Sequence, residues 1–151
     1  MKLSTLLAVI LSLLLSATAQ ASTGTIVVKV ENLRNHNQGQ LTVALYQKME
    51  RVELDLTKAF KTQSVSVKGA ELTVSFKDLP HGEYAIGILH DMDKNAEMNT
   101  NWIGIPREDL AISNNTKGGP FGGPKWADAK VTLKGDKLSI TPLKMVHMYG
   151  G

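Results

Sequence analysis

Between Tyr84 and His90 the two alternating sets of side chains are both mostly apolar, with Tyr84, Ile86, Ile88 and His90 on one face and Ala85, Gly87 and Leu89 on the other. Side chains alternate across a strand at a period of two, so a strand apolar on both faces belongs in the interior of a sheet. The stretch before it, Asp78-Leu79-Pro80-His81-Gly82, is a strong turn. Pro80 fixes its own φ and removes a donor, and Gly82 can take the positive φ such turns often require.

The rest of the chain supplies shorter strands for this one to pair with. Ile26, Val28 and Val30 alternate with Thr25, Val27 and Lys29, and after a turn-rich break at Asn32–Gly39 a second strand alternates Leu41, Val43 and Leu45 with Thr42, Ala44 and Tyr46. The short break predicts a hairpin between these two strands. Val65 and Val67 precede Lys68-Gly69-Ala70-Glu71, and Leu72, Val74 and Phe76 follow it, which predicts a second hairpin. Val131 and Leu133, the turn Lys134-Gly135-Asp136, then Leu138 and Ile140 predict a third, with a tail fraying from Lys144. Gln47–Lys61 fits both helical spacing and alternation, and a short helical turn is expected at Leu56–Lys61. About seven short strands separated by turns predict an all-β fold: a single antiparallel β-sandwich, immunoglobulin-like or transthyretin-like, with long loops at one end.

Lys2, the apolar run Leu3–Leu15 and Ala19-Gln20-Ala21 have the order of a secretory signal peptide. The apolar run is shorter than the ~20 residues of a membrane-spanning helix, so residues 1–21 are expected to be cleaved and 22–151 to form the sandwich domain. An uncleaved membrane anchor is the alternative. The expected location is periplasmic or secreted, with no membrane span after cleavage. The chain has no Cys, which excludes thiol chemistry and disulfides and leaves packing, or packing plus a bound metal, to hold the fold. Its 17 Lys and Arg against 14 Asp and Glu are scattered, and aromatic residues make up only 5%, so neither a nucleic-acid surface nor a base-stacking platform is implied.

Chemistry concentrates after the central strand. Asp91, Asp93, Asn95 and Asn99 fall at positions one, three, five and nine of a loop, with the backbone carbonyl of Glu97 at seven. This is the spacing by which calcium loops wrap a cation in six to eight oxygens. Position six is Ala96 where the turn wants Gly, and position twelve is Trp102 where a closing Glu is usual; Asn101, Glu108 or Asp109 can substitute from nearby. The expected site, at 91–101 through Asp91, Asp93, Asn95, Glu97, Asn99 and Asn101, is a weak calcium site with Kd of ~10⁻⁴–10⁻³ M. The competing reading is an Asx-rich loop whose side chains cap their own backbone N–H groups. A transition-metal site at His90, Asp91 and Asp93 lacks further histidine ligands, since His36, His81 and His147 stand at no ligand spacing to it. Asp91 with Glu108 or Asp109 would serve as the carboxylate pair of a glycosidase if they lined a cleft. No GxSxG, Walker or HExxH motif occurs.

The turn and strand Leu79-Pro80-His81-Gly82-Glu83-Tyr84-Ala85, then His90-Asp91, Asn95, Asn101, Gly104-Ile105-Pro106-Arg107-Glu108, Ser113-Asn114, and Gly122-Gly123-Pro124 followed by Ala129, together resemble the bacterial family called domain of unknown function 2141. The likeness covers essentially the whole chain after the signal segment. That family's usual loop reads HDxNxNGxxDxNxxGxPxEGxGFS. Here Asp93 stands for an Asn, Ala96 for the loop Gly, Asn99 for the Asp, Asp109 and Ala111 for two later Gly, and Ile112 for the Phe. The resemblance implies no activity, substrate or catalytic residue. The Leu-Pro-x-Gly-x-Tyr strand entry is similar to that of transthyretin-like modules, an analogy of fold alone.

The expected function is therefore a non-enzymatic binding or structural module of the cell envelope. Its His90–Ser113 and Asn114–Trp126 loops would lie at one end and meet an envelope protein or ligand. The alternative is a metal- or carboxylate-dependent hydrolase acting in the periplasm through Asp91, Asp93 or Glu108.

Overall fold

The computed structural model describes residues 20–34, 38–119 and 122–148. The segment read as a signal peptide falls almost wholly outside them, as does His36. No helix among the described residues is long and apolar enough to cross a membrane.

Among the described residues nine strands form two facing sheets. In chain order they are β1 (Thr23–Glu31), β2 (Gln40–Tyr46), β3 (Lys61–Ser66), β4 (Leu72–Pro80), β5 (Gly82–Asp91), β6 (Leu110–Ile112), β7 (Val131–Leu133), β8 (Lys137–Ser139) and β9 (Leu143–Lys144). One sheet runs β4-β1-β8 with β9 also on β1; the other runs β3-β2-β5-β6 with β7 also on β5. Most pairs are antiparallel, and β8 and β9 lie parallel to β1. The fold is an all-β sandwich.

β5 is interior, as its two apolar faces require. Tyr84, Ile86 and Ile88 join Ile26, Val28 and Val30 of β1 and Leu41, Val43 and Leu45 of β2 in the core between the sheets. Its other face meets a second apolar layer in which Ala44, Tyr46 and Ala85 are covered by Val52, Leu54, Trp126 and Ala129. A Cβ on Gly87 would lie 2.2 Å from Leu54 Cδ2 and 3.0 Å from Tyr46 Cε2, so the glycine is what lets the 47–60 segment lie down on the sheet. That segment contains the expected helical turn, a 3₁₀ turn at Leu56–Lys58 begun by Asp55, whose side chain accepts from Thr57 N.

The three expected hairpins are corrected. β1 pairs with β4 rather than β2, β3 pairs with β2 rather than β4, and β7 pairs with β5 whereas β8 pairs with β1. Each turn carries the chain from one sheet to the other, because turn residues dictate a reversal but not whether the next strand lies beside the last or in the layer ~10 Å away. Leu33 and Val67, in or beside two of these crossovers, are buried in the core and close one end of it. The tail is also corrected, since it is held rather than frayed as far as Met148. Met145 N donates to Glu31 O, Val146 exchanges two backbone hydrogen bonds with Leu110, and Met148 N donates to Asp109 Oδ1. On the opposite side β3 and β4 are the sheet edges, and side chains of β3 occupy the carbonyls of β4: Gln63 Nε2 donates to Ser75 O and Lys61 Nζ to Lys77 O. Such capping blunts an edge against pairing with other chains.

The described parts of the two long loops are anchored at different places on the sheet. The first follows Asp91, which faces Gln40 across β2, whereas Tyr46 at the other end of β2 faces Ala85. The 122–130 stretch, including the short helix α1 (Trp126–Ala129), lies on the outer face toward the Tyr46 end, where Val52 N donates to Pro124 O and Trp126 N to Glu50 O. β6, antiparallel to β5, carries the chain away from the first loop.

Candidate metal centre

Asp91 ends β5 and is fully buried. Its Oδ2 accepts from Ala96 N at 2.9 Å and from Gln40 Nε2 at 3.0 Å, and its Oδ1 accepts from Asn95 N at 3.2 Å. Burial pushes its carboxyl pKa up, but hydrogen bonding from Ala96 N, Gln40, Asp93 and Asn95 N outweighs that and holds it below the ordinary carboxylate value. These donors curl the loop back on itself, and Lys94 and Ala96 take left-handed φ of 60° and 61°. Alanine thus occupies the conformation for which calcium loops use glycine, at a cost of order 1 kcal/mol.

Glu108 approaches from the far limb of the loop and is also buried. Its Oε1 accepts from Met92 N at 2.9 Å and its Oε2 from Asn99 N at 3.2 Å, so one carboxylate ties the two limbs together. Asp93 lies at the surface, with Oδ2 accepting from Asn95 Nδ2 at 3.1 Å and Asn99 Nδ2 at 3.0 Å. Oxygens of Asp91, Asp93 and Glu108 all fall within 4.8 Å of one another. Ligands at ~2.3–2.6 Å on opposite sides of a calcium ion are separated by at most ~5 Å, so the three can share one cation. No Lys, Arg or His side chain forms a salt bridge with any of them among the described residues.

Of the six residues expected as ligands, Asp91 and Asp93 come together, and Asn95 and Asn99 reach Asp93 through their amides. Glu97 is exposed, with its N–H donating to Asn95 Oδ1 at 2.8 Å. Asn101 is spent elsewhere: its Oδ1 accepts from Ile103 N and Ile105 N in the next turn. Glu108, which lies outside the twelve-residue window, is the carboxylate that stands beside Asp91 and Asp93. Asp109, its neighbour, turns away to Arg34 at 3.3 Å and His147 Nδ1 at 2.6 Å. Burial raises the Asp109 carboxyl, but His147, Arg34 and Met148 N together hold it below its ordinary value. His90 is buried with Nε2 3.0 Å from Gln38 O, a core histidine with a backbone partner. Gln40 carries no sequence signal, and Ser113 enters the sequence reading only through the family resemblance. Ser113 Oγ accepts from Ile86 N at 2.9 Å and donates to Ala129 O at 2.5 Å, joining β5 to α1.

The described residues thus define an all-β sandwich with a carboxylate-lined loop at the end of its central strand. Residues 28–141 match the family described as "Uncharacterized protein conserved in bacteria (DUF2141)", and the chain belongs to that family. No curated protein and no solved structure matches it.

Proposed function

We propose that the chain is a non-enzymatic exported module of the cell envelope whose 91–108 loop takes a calcium ion through Asp91, Asp93 and Glu108. The observation that carries this reading is the approach of three carboxylates, two of them buried, without a salt-bridge partner among the described residues. Like charges this close repel unless a counterion joins them or a proton is taken up. The amide nitrogens of Asn95 and Asn99, which donate to Asp93, serve as weak stand-ins for a cation; rotating either amide by 180° would present its oxygen instead. The order Lys2, Leu3–Leu15, Ala19-Gln20-Ala21 supports export.

Melting in EDTA and then in about 10 mM calcium tests the site. If Kd is about 0.1 mM, this is 100-fold excess and stability should rise by about 2.7 kcal/mol. Magnesium at the same concentration should give a smaller rise, since it demands near-ideal octahedral geometry and sheds water reluctantly. A melting temperature indifferent to calcium rules the reading out.

A further inference from the structure

The tip of the same loop is apolar, uncharged and exposed. Trp102 is 94% exposed, Ile103 56% and Ile105 42%. From Met98 to Pro106 the chain carries no Asp, Glu, Lys or Arg. Charge resumes on either side of this stretch in both signs, with exposed Lys94 and Arg107 against exposed Asp93 and Glu97.

The tip is also closed on itself. Asn101 N donates to Ile105 O, Gly104 N to Asn101 O, and Arg107 N to Asn99 O, with Thr100 bridged to Pro106. Asn101 Oδ1 fills the inside of the turn by accepting from Ile103 N and Ile105 N. Pro106 has no N–H to satisfy. The turn thus takes up the donors of Asn101, Ile103, Gly104, Ile105 and Arg107 without help from solvent.

We propose that this tip inserts into the interfacial layer of a zwitterionic phospholipid membrane, with Trp102 as the anchor and Ile103 and Ile105 beside it. Lipid is selected by what the tip lacks as much as by what it presents. Hydrocarbon penalises charges and bare N–H groups because no water is there to solvate them. The tip brings no charge, and its own oxygens hold those five donors. A protein partner would instead be read through charged or polar groups around the anchor as well, and no charged residue lies within 98–106. The indole ring, an apolar body with one N–H, suits the boundary between headgroups and acyl chains. The flanking charges, two of each sign, match headgroups that carry both signs and give an anionic surface no net hold on them. The chain would then lie on the membrane without spanning it. Three partly inserted side chains keep association below the ~10⁴ M⁻¹ of a single myristoyl group.

The insertion needs no cation, so vesicle binding in EDTA keeps its test separate from that of the cation site. The wild type should co-sediment with phosphatidylcholine vesicles at millimolar lipid, and lipid should protect Trp102 from iodide quenching. The other tryptophan, Trp126, is buried and adds little to that signal. Trp102→Ser, which removes the anchor, should lower the partition coefficient at least about tenfold. Ile103→Asp, which puts a charge into the tip, should do the same. Both positions are exposed, so the melting curves of the variants should match the wild type. Replacing part of the phosphatidylcholine by phosphatidylglycerol should leave the partition nearly unchanged. A wild type that stays unbound at every lipid concentration, binding that survives Trp102→Ser, or binding that requires phosphatidylglycerol would each overturn the proposal. So would lipid-free sedimentation velocity in which the wild type associates through Trp102 in place of binding vesicles, which would make a second copy the occupant.

Discussion

Replacing Gly123 with alanine is expected to lower the unfolding free energy by about 3 kcal/mol. A Cβ there would lie 1.8 Å from Val52 O and 2.8 Å from Val52 C. Both are backbone atoms, so no rotamer change relieves the overlap. The 50–52 and 124–126 segments must then separate, although they hold each other through Val52 N to Pro124 O and Trp126 N to Glu50 O, with Arg51 NH1 also on Gly123 O. Separation exposes Val52 and Trp126, which cover the outer face of β2 and β5. Gly135→Ala is the control, since a Cβ there meets nothing within 4 Å and φ is ordinary. It should leave stability unchanged or raise it by about 0.5 kcal/mol. Urea unfolding followed by circular dichroism separates the two outcomes.

That packing also explains what was legible in the sequence. Seven of the nine described strands were, because alternation such as Ile26-Val28-Val30 records burial on one face, and continuous burial of Tyr84–Leu89 records an interior strand; β6, inside the stretch read as a loop, and β9, in the tail read as fraying, are too short to show a period. Their partners were not. Lys68-Gly69-Ala70-Glu71 and Lys134-Gly135-Asp136 look like hairpin turns, but a two-layer fold can use the same residues to change sheet. The pairing was decided by which faces fit across the core, a long-range property. The second apolar layer was hidden because the stretch that holds Val52 and Leu54 fits two periods at once, and only Gly87 marks where Leu54 must approach.

In the loop, spacing pointed to Asp91 and Asp93, which do lie together, and left open which of Asn101, Glu108 and Asp109 would join them; Glu108 does. Position twelve is Trp102, and the chain inserts a closed turn from Asn99 to Arg107 before Glu108 returns to donors at Met92 and Asn99. A fixed-length motif cannot register that insertion. Gln40 escaped notice because it reaches Asp91 through strand register alone.

Two substitutions at Asp91 should differ sharply and so separate the role of its charge from the role of its shape. Asp91→Ala removes an acceptor from Asn95 N, Ala96 N and Gln40 Nε2 at once, and should destabilise by about 3 kcal/mol, since each stranded buried donor costs ~1–3 kcal/mol and the loop can rehydrate part of the loss. Asp91→Asn can keep its oxygen where Oδ2 now accepts from Ala96 N and Gln40 Nε2, losing only the weaker contact to Asn95 N. It also removes one of three mutually repelling charges, so in EDTA it should cost less than about 1 kcal/mol. Both variants should lose most of the stabilisation by calcium. Acid adds an independent readout. The Asp91 carboxyl lies below its ordinary value in the folded protein, so its contribution to stability is fully present above that ordinary value and is lost as pH falls through the folded one. Asp91→Asn should therefore lose less stability than the wild type between neutral and strongly acidic pH. What acid sensitivity remains should come largely from Asp109, whose carboxyl is held low in the same sense. Equal instability of the two variants in EDTA would mean that the loop needs the charge itself, and a calcium response retained by Asp91→Asn would remove Asp91 from the ligand set.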